Sequence, residues 1–170
     1  MKIGLVYGST TGNTTDAAEM IRDLFHEEID SYLDISDTDL AVLPTFDVLF
    51  IGVSTWNIGE LQQDWDEVFR KLDPLDFTGT KLVFFGQGDQ KGYPENFQDA
   101  MGILRTRMIE LGATAEVGHW PTEGYEFEDS LGLVEGKFVG LALDEDNQPE
   151  LTEERIDVWC EQVRGELGLG

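Results

Sequence analysis

The segment from Gly8 to Thr15 is rich in hydroxyl groups and stands between an apolar run and a helical pattern. It reads Gly-Ser-Thr-Thr-Gly-Asn-Thr-Thr, and its hydroxyl donors are Ser9, Thr10, Thr11, Thr14 and Thr15. The free N–H groups and the dipole of a helix N-terminus favour an anion at this position. The segment contains no lysine and is therefore not the phosphate loop of nucleoside triphosphatases. It suits a phosphate monoester held without a cationic side chain; the alternative is a helix cap that binds nothing.

Two later segments that follow apolar runs each carry an aromatic residue. Trp56 follows the run Val48 to Val53, and Tyr93 ends the glycine-rich segment Gly86 to Tyr93. Glycine lets the backbone approach a ligand closely, and aromatic rings stack on planar groups. The alternatives are that Trp56 packs on a neighbouring loop and that the glycine-rich segment is only a flexible turn. Together with the hydroxyl-rich segment, the two aromatic residues favour a flat, phosphorylated cofactor.

The elements that must position these segments are predicted from five apolar runs that alternate with helical patterns. The runs are Ile3 to Tyr7, Ile29 to Ile35, Val48 to Val53, Leu82 to Phe85 and Phe138 to Leu143. The predicted helix faces are Ala17, Ile21 and Leu24, then Phe97, Met101, Leu104, Met108 and Leu111, then Ile156, Trp159, Val163 and Leu167. Thr152 is the predicted N-cap of the last helix, with Glu153 and Glu154 in its first turn.

This alternation predicts an α/β fold, a doubly wound parallel sheet with helices on both faces, as a single domain over residues 1–170. Ligands of such sheets bind beyond the carboxyl ends of the strands, where the three segments would meet. One stretch interrupts the rhythm: Gly118 to Lys137 has five acidic residues and no clean period. A structureless loop of this length is unusual in a compact domain. It is either a functional insertion or a segment with unrecognised structure.

The composition excludes several classes of partner. The chain has 35 acidic and 11 basic residues and a formal charge of −24 at pH 7, which argues against nucleic acid and against anionic membranes. The acidity favours basic protein partners, although it could serve solubility alone. The one cysteine, Cys160, cannot form an intramolecular disulfide, and His26 and His119 are not grouped with it into a metal site. No apolar run is long enough for a membrane span.

The three segments resemble the FMN-binding loops of flavodoxins. The matching residues are 10–14 (TTGNT), 55–59 (TWNIG) and 88–93 (GDQKGY), and the resemblance continues through 96–100 (NFQDA) and 136–144 (GKFVGLALD). It covers nearly the whole chain and is greatest to long-chain flavodoxins of cyanobacteria and algae. The implied sheet has five strands in the order 2-1-3-4-5. Its fifth strand would begin near Thr114 to Val117, be split by an insertion at about 118–137 and resume near Phe138.

The resemblance also implies a set of FMN contacts. The phosphate would lie against Ser9, Thr10, Thr11, Gly12, Asn13 and Thr14. Trp56 and Tyr93 would enclose the isoalloxazine, Asn57 and Ile58 would face flavin N5, and Asp89 would lie near N3 or the pyrimidine edge. The remaining implied contacts are Thr55, Gly59, Gly88, Asn96 and Gln98. In many flavodoxins a peptide near N5 rotates on reduction; without a glycine at 57 or 58, that rotation should cost more here.

The implied function is that of a low-potential one-electron carrier, not an enzyme, that uses the semiquinone/hydroquinone couple of non-covalently bound FMN. Nearby carboxylates are expected to lower the second potential; the candidates are Glu60, Asp64, Asp66, Glu67, Asp89, Asp99, Asp144, Glu145 and Asp146. The implied partners are photosystem I and ferredoxin–NADP⁺ reductase, in place of ferredoxin, with nitrogenase or another reductase left open. We expect a monomer without metal or catalytic residues, in the cytoplasm or, after removal of a transit peptide, in the chloroplast stroma.

Three other functions are compatible with a related fold. An FMN-dependent NAD(P)H:quinone reductase would need a substrate pocket over the flavin, which Tyr93 on the ring would obstruct. A signalling receiver domain would need an aspartate after the third strand, where the chain has Val53-Ser54-Thr55. A flavin storage module without electron transfer would differ only in its redox potentials.

Overall fold

The computed structural model describes residues 1–170. In chain order its elements are β1 (Ile3–Tyr7), α1 (Asn13–Leu24), β2 (Ser31–Asp34), β3 (Val48–Trp56), β4 (Glu60–Leu61), α2 (Gln63–Val68), β5 (Lys81–Gln87), α3 (Asp99–Glu110), β6 (Thr114–Val117), β7 (Trp120–Pro121), β8 (Leu133–Val134), β9 (Lys137–Phe138), β10 (Gly140–Leu143) and α4 (Thr152–Glu166). Short 3₁₀ helices span Ile35–Asp37, Leu40–Thr45, Phe69–Leu72 and Pro149–Leu151. None of the helices combines the length and apolar character needed to cross a bilayer.

The central sheet is parallel and has the strand order β10-β5-β3-β1-β2. This is the predicted order 2-1-3-4-5, so the predicted fold class is confirmed. Strands β1, β3 and β5 are buried almost throughout because helices cover both faces, which explains why each reads as a continuous apolar run. Their carboxyl ends lie side by side, with Tyr7 opposite Gly52 and Ser54 opposite Gln87.

The fifth strand is split, as predicted. Its first part, β6, pairs with the beginning of β5, and its second part, β10, pairs with the end of β5. The intervening segment contains β7 and β8, which pair with β9 in a small antiparallel sheet of order β7-β9-β8. The single strand predicted over Phe138 to Leu143 is therefore wrong in part. It is interrupted at Val139, whose N–H donates to the carbonyl of Gly132 at 2.8 Å.

Two apolar cores lie on opposite faces of the sheet. Helices α1 and α4 pack on one face, through residues such as Ile21 and Trp159. Helices α2 and α3 pack on the other, through residues such as Trp65 and Leu104. Cys160 is buried among the apolar residues beside α1, and burial raises the pKa of its thiol to about 12, in agreement with its prediction as a small apolar residue.

Three local predictions need correction. The Thr152 side chain does not cap α4: Thr152 is the first helical residue, and its hydroxyl donates to Glu145 Oε1 at 2.5 Å. Leu24 does not share the buried face of α1, because it is 41% exposed. The second strand covers only Ser31–Asp34 instead of Ile29 to Ile35, since it lies at the edge of the sheet and is half-buried throughout.

Candidate functional site

A cavity of about 480 Å³ opens at the carboxyl ends of β1, β3 and β5 and beside the turn that follows β10. This volume is in the range of small-molecule and cofactor sites. Its lining contains three carboxylates and no lysine or arginine. The lining residues are Ser9, Thr10, Thr11, Asn13, Thr14, Ser54, Thr55, Trp56, Asn57, Gln87, Gly88, Asp89, Tyr93, Glu145 and Asp146.

The N-terminus of α1 forms one end of the cavity. Gly12 precedes the helix at φ 96°, and no side chain caps the helix. The N–H groups of Asn13, Thr14 and Thr15 have no acceptor within the chain, because the carbonyls one turn earlier lie outside the helix. Free N–H groups on the positive end of the helix dipole favour an anion here.

The hydroxyl groups around this helix end are oriented by donors from the protein. Ser9 Oγ accepts from the Gly12 N–H at 3.1 Å, and Thr10 Oγ1 accepts from Gln62 Nε2 at 3.1 Å. Because each oxygen already accepts a hydrogen bond, its own hydrogen stays free to donate to an anion. Thr14 is 2% exposed, and its hydroxyl makes no hydrogen bond within the chain. The donor set therefore suits a phosphate group without any cationic side chain.

Two aromatic residues stand at the other end of the cavity. Trp56 is the last residue of β3, opposite Glu60 in the hairpin with β4, and its indole Nε1 donates to Ser54 Oγ at 2.9 Å. Tyr93 closes the loop after β5 and is partly exposed. Asn57 begins the hairpin turn in the left-handed region, at φ 47°. The ring of Trp56 is therefore fixed by a short hairpin and a hydrogen bond, as a stacking surface for a planar ligand requires.

The loop that carries Tyr93 is held by carboxylates. Asp89 Oδ1 accepts from the Gly92 N–H at 2.7 Å and from Asn147 Nδ2 at 2.8 Å. A side chain at Gly92 would collide with Asp89, since a Cβ there would lie 2.2 Å from Oδ2. The fully buried Asp144 accepts from the backbone N–H and the side-chain amide of Gln90. The turn after β10 thus fixes the loop after β5.

This side of the cavity is negatively charged. The carboxylates of Asp89, Asp144 and Asp146 lie within 4.8 Å of one another. Partial burial, and then the neighbouring Asp89 and Asp144, raise the pKa of Asp146 above its ordinary value. Glu145 lines the same side. Negative charge placed on a ligand near these groups is therefore disfavoured.

Most of the predicted site residues lie together in the cavity wall. Those that line it are Ser9, Thr10, Thr11, Asn13, Thr14, Thr55, Trp56, Asn57, Gly88, Asp89 and Tyr93. Gly12, Ile58, Gly59, Asn96 and Gln98 do not line it, and their contacts with a cofactor stay predictions. Ile58 is largely exposed, whereas the buried Gln98 donates through Nε2 to the carbonyls of Gly86 and Leu143.

Two lining residues, Ser54 and Gln87, were not among the predicted site residues. They are neighbours in register near the carboxyl ends of β3 and β5. A polar residue that follows an apolar run near the carboxyl end of a strand is the signal that could have identified each of them, because that position opens onto the ligand side of a doubly wound sheet. Glu145 and Asp146 also line the cavity, although the sequence indicated them only as nearby charges.

A doubly wound sheet with a phosphate-suited helix N-terminus and two aromatic residues at its carboxyl edge defines a nucleotide-cofactor protein of the flavodoxin-like class. The Flavodoxin family model matches residues 5–159, and the chain belongs to the flavodoxin family. The chain is 50% identical over 168 residues to a flavodoxin of Nostoc sp., which covers 99% of this chain and 98% of the relative. It is 49% identical over 169 residues to a flavodoxin of Picosynechococcus sp., with 99% of each chain covered.

The fold is also that of a solved flavodoxin. The structure of Fusobacterium nucleatum flavodoxin bound to flavin mononucleotide superposes with a TM-score of 0.90 at 30% identity, over 97% of this chain and 98% of that chain. Flavodoxins are FMN-binding electron-transfer proteins rather than enzymes. The predicted family, its likeness to cyanobacterial members, its cofactor and its non-enzymatic class are therefore confirmed.

Proposed function

We propose that this chain is one FMN-binding domain that works as a low-potential, one-electron carrier between photosystem I and ferredoxin–NADP⁺ reductase. The cavity carries the proposal, because it combines a cation-free phosphate site at α1 with two aromatic side chains, Trp56 and Tyr93. The protein would act as a monomer in the cytoplasm, or in the chloroplast stroma.

Different residues of the chain would bind different parts of FMN. The N–H groups at the start of α1 and the hydroxyls of Ser9, Thr10 and Thr14 would hold the phosphate. Trp56 and Tyr93 would lie against the ring system and exclude water from it. Because the phosphate site has no cation to move or titrate, its affinity depends on the positions of the donors, which the helix and two donated hydrogen bonds fix.

Bound FMN supplies the one-electron redox chemistry. The protein adjusts it through charge: Asp89, Glu145 and Asp146 line the cavity, and no lysine or arginine offsets them there. A second electron adds negative charge, which these carboxylates disfavour. The aromatic side chains add to this effect because they replace water around the ring. Both features support a low second potential.

Exposed acidic residues support the proposed choice of partners. Glu60, Asp66, Glu67 and Asp146 are exposed, and the whole chain carries a formal charge of −24. Such a surface steers diffusing molecules toward basic docking sites and forms brief complexes that salt weakens. Nitrogenase or another basic reductase would be recognised by the same surface.

Electron transfer to and from the two named partners tests the proposal. The FMN-loaded protein is mixed with illuminated photosystem I, and in a second experiment the reduced protein is mixed with ferredoxin–NADP⁺ reductase, across a series of salt concentrations. We expect fast transfer at low ionic strength that slows as salt screens the acidic surface. Transfer that is absent with both partners, in a protein that binds FMN and takes up single electrons, would contradict this choice of partners.

A further inference from the structure

Gln87 has an unpartnered amide in the wall of the cavity. The side chain is 7% exposed, and neither Nε2 nor Oε1 has a hydrogen-bond partner. The three other buried glutamines differ from it, since the side-chain amide of each donates within the chain: Gln62 to Thr10, Gln90 to Asp144 and Gln98 to backbone carbonyls. Among these glutamines, only Gln87 has both a donor and an acceptor without a hydrogen-bond partner.

Buried polar groups without partners are uncommon in folded proteins, because desolvation of the group is not offset by a new hydrogen bond. Where such a group faces a ligand cavity, the ligand is the natural source of the missing partner. The amide of Gln87 offers N–H donors and a carbonyl acceptor at the same position. Its partner must therefore both accept and donate hydrogen bonds.

The chemistry of the cofactor narrows the choice of partner. An ionised phosphate only accepts hydrogen bonds, and would leave Gln87 Oε1 unpaired. The faces of the flavin ring offer neither donors nor acceptors of this strength. A hydroxyl group donates and accepts, and the ribityl chain that joins the phosphate to the ring carries several hydroxyls. The edge of the pyrimidine ring also carries both donors and acceptors. Only the position of Gln87 in the cavity can decide between this edge and the ribityl hydroxyls.

The position of Gln87 in the sheet favours the hydroxyl chain. Gln87 is the last residue of β5 and lies in register between Ser54 of β3 and Leu143 of β10. The aromatic residues come later, Trp56 two residues beyond Ser54 and Tyr93 at the end of the loop that follows Gln87. Along the strand direction Gln87 is therefore level with Ser54 and precedes both aromatic residues that would enclose the ring.

We propose that the Gln87 side-chain amide binds hydroxyl groups of the ribityl chain of FMN, as a specificity-determining contact between the phosphate site and the ring site. The contact rests on the proposed function, since it assumes that FMN occupies the cavity. It selects a flavin that carries a polyhydroxyl chain over a flavin ring alone.

The test compares Gln87→Met, which keeps the length of the side chain and removes both polar groups, with Gln63→Met, the same change at an exposed position on α2 outside the cavity. Apoproteins are titrated with FMN, riboflavin and lumiflavin, the last of which has the ring but no ribityl chain. We expect Gln87→Met to weaken FMN and riboflavin binding by about 10- to 100-fold, the loss of two hydrogen bonds, and to leave lumiflavin binding and the control variant unchanged.

The stability of the apoprotein provides a second readout. Since Gln87→Met removes buried polar groups without partners, the apoprotein should be as stable toward urea as the wild type, or more stable. A structural role for Gln87 would instead lower apoprotein stability and weaken all three ligands together.

Unchanged FMN affinity in Gln87→Met would overturn the inference. An equal loss of lumiflavin affinity would also overturn it, because the amide would then bind the ring. A loss of FMN affinity alone would overturn it too, because the amide would then bind the phosphate. Failure of the wild type to bind FMN would instead contradict the proposed function, so the two failures are distinguishable.

Discussion

Thr14 offers the sharpest test of a phosphate site without a cation. Its side chain is buried in the first turn of α1 and lines the cavity, and its hydroxyl has no partner within the chain. A hydrogen bond to a charged group contributes about 1.5–3 kcal/mol, and about 1.4 kcal/mol corresponds to a tenfold change in affinity. Thr14→Val keeps the shape of the side chain and removes the hydroxyl. We therefore expect FMN affinity to fall by about 10- to 150-fold.

The assay is a fluorescence titration of the apoprotein with FMN and, in parallel, with riboflavin, which lacks the phosphate. Riboflavin affinity should not change in Thr14→Val, because the hydroxyl serves the phosphate alone. Thr80→Val is the matched control: Thr80 is equally buried, but its hydroxyl donates to the carbonyl of Phe46 at 3.0 Å, away from the cavity. This control should lose stability and keep its FMN affinity. An equal loss of both flavins in Thr14→Val would refute the reasoning.

Three further predictions concern the ring site, the acid stability and the redox potential. Ser54→Ala removes the acceptor of the Trp56 indole and should weaken FMN and riboflavin alike, by about 2- to 10-fold in titrations; unchanged binding would show that the bond does not orient the ring. The bond from Arg164 lowers the pKa of Glu28, so its stabilisation is present at neutral pH and is lost as pH falls through that lowered pKa. Urea unfolding should therefore show that Glu28→Gln lowers the free energy of unfolding by about 0.2–1 kcal/mol at neutral pH and not in acid. A difference that persists in acid would contradict this role of the ion pair. Asp146→Asn should raise the second one-electron potential by tens of millivolts, on the order expected for one nearby charge. Because the pKa of Asp146 is raised, spectroelectrochemistry should find that difference shrinking as pH falls, and potentials that never differ would exclude the charge effect.

The parts of the fold that were predictable from the sequence are those buried on both sides. Strands β1, β3 and β5 have helices on both faces, and their residues are apolar for that reason. The edge strand β2 is half-buried throughout, so its pattern did not define its ends. The break at Val139 depends on a hydrogen bond to Gly132, seven residues earlier, and such a contact leaves no local signal in the composition.

The site was predictable where function requires unusual residue types. Hydroxyls before α1, a tryptophan after β3 and glycines after β5 are recognisable because ordinary turns do not need them. Gln87 was missed because no feature of the glycine-rich segment Gly86 to Tyr93 distinguishes it from its neighbours. Only the structure shows that it is the last residue of β5 and lines the cavity. The resemblance placed Gln98 at the cofactor, whereas its amide binds two backbone carbonyls within the protein; its contact with FMN stays a prediction.

Anaerobic reduction of the FMN-loaded protein, followed by visible spectroscopy at controlled potential, tests the central claim most directly. A cavity with an anion site at α1, two aromatic walls and three lining carboxylates predicts binding of one FMN and two well-separated one-electron steps, the second at a much lower potential. Failure to bind FMN, or reduction in a single two-electron step, would contradict the account of this protein as a one-electron carrier.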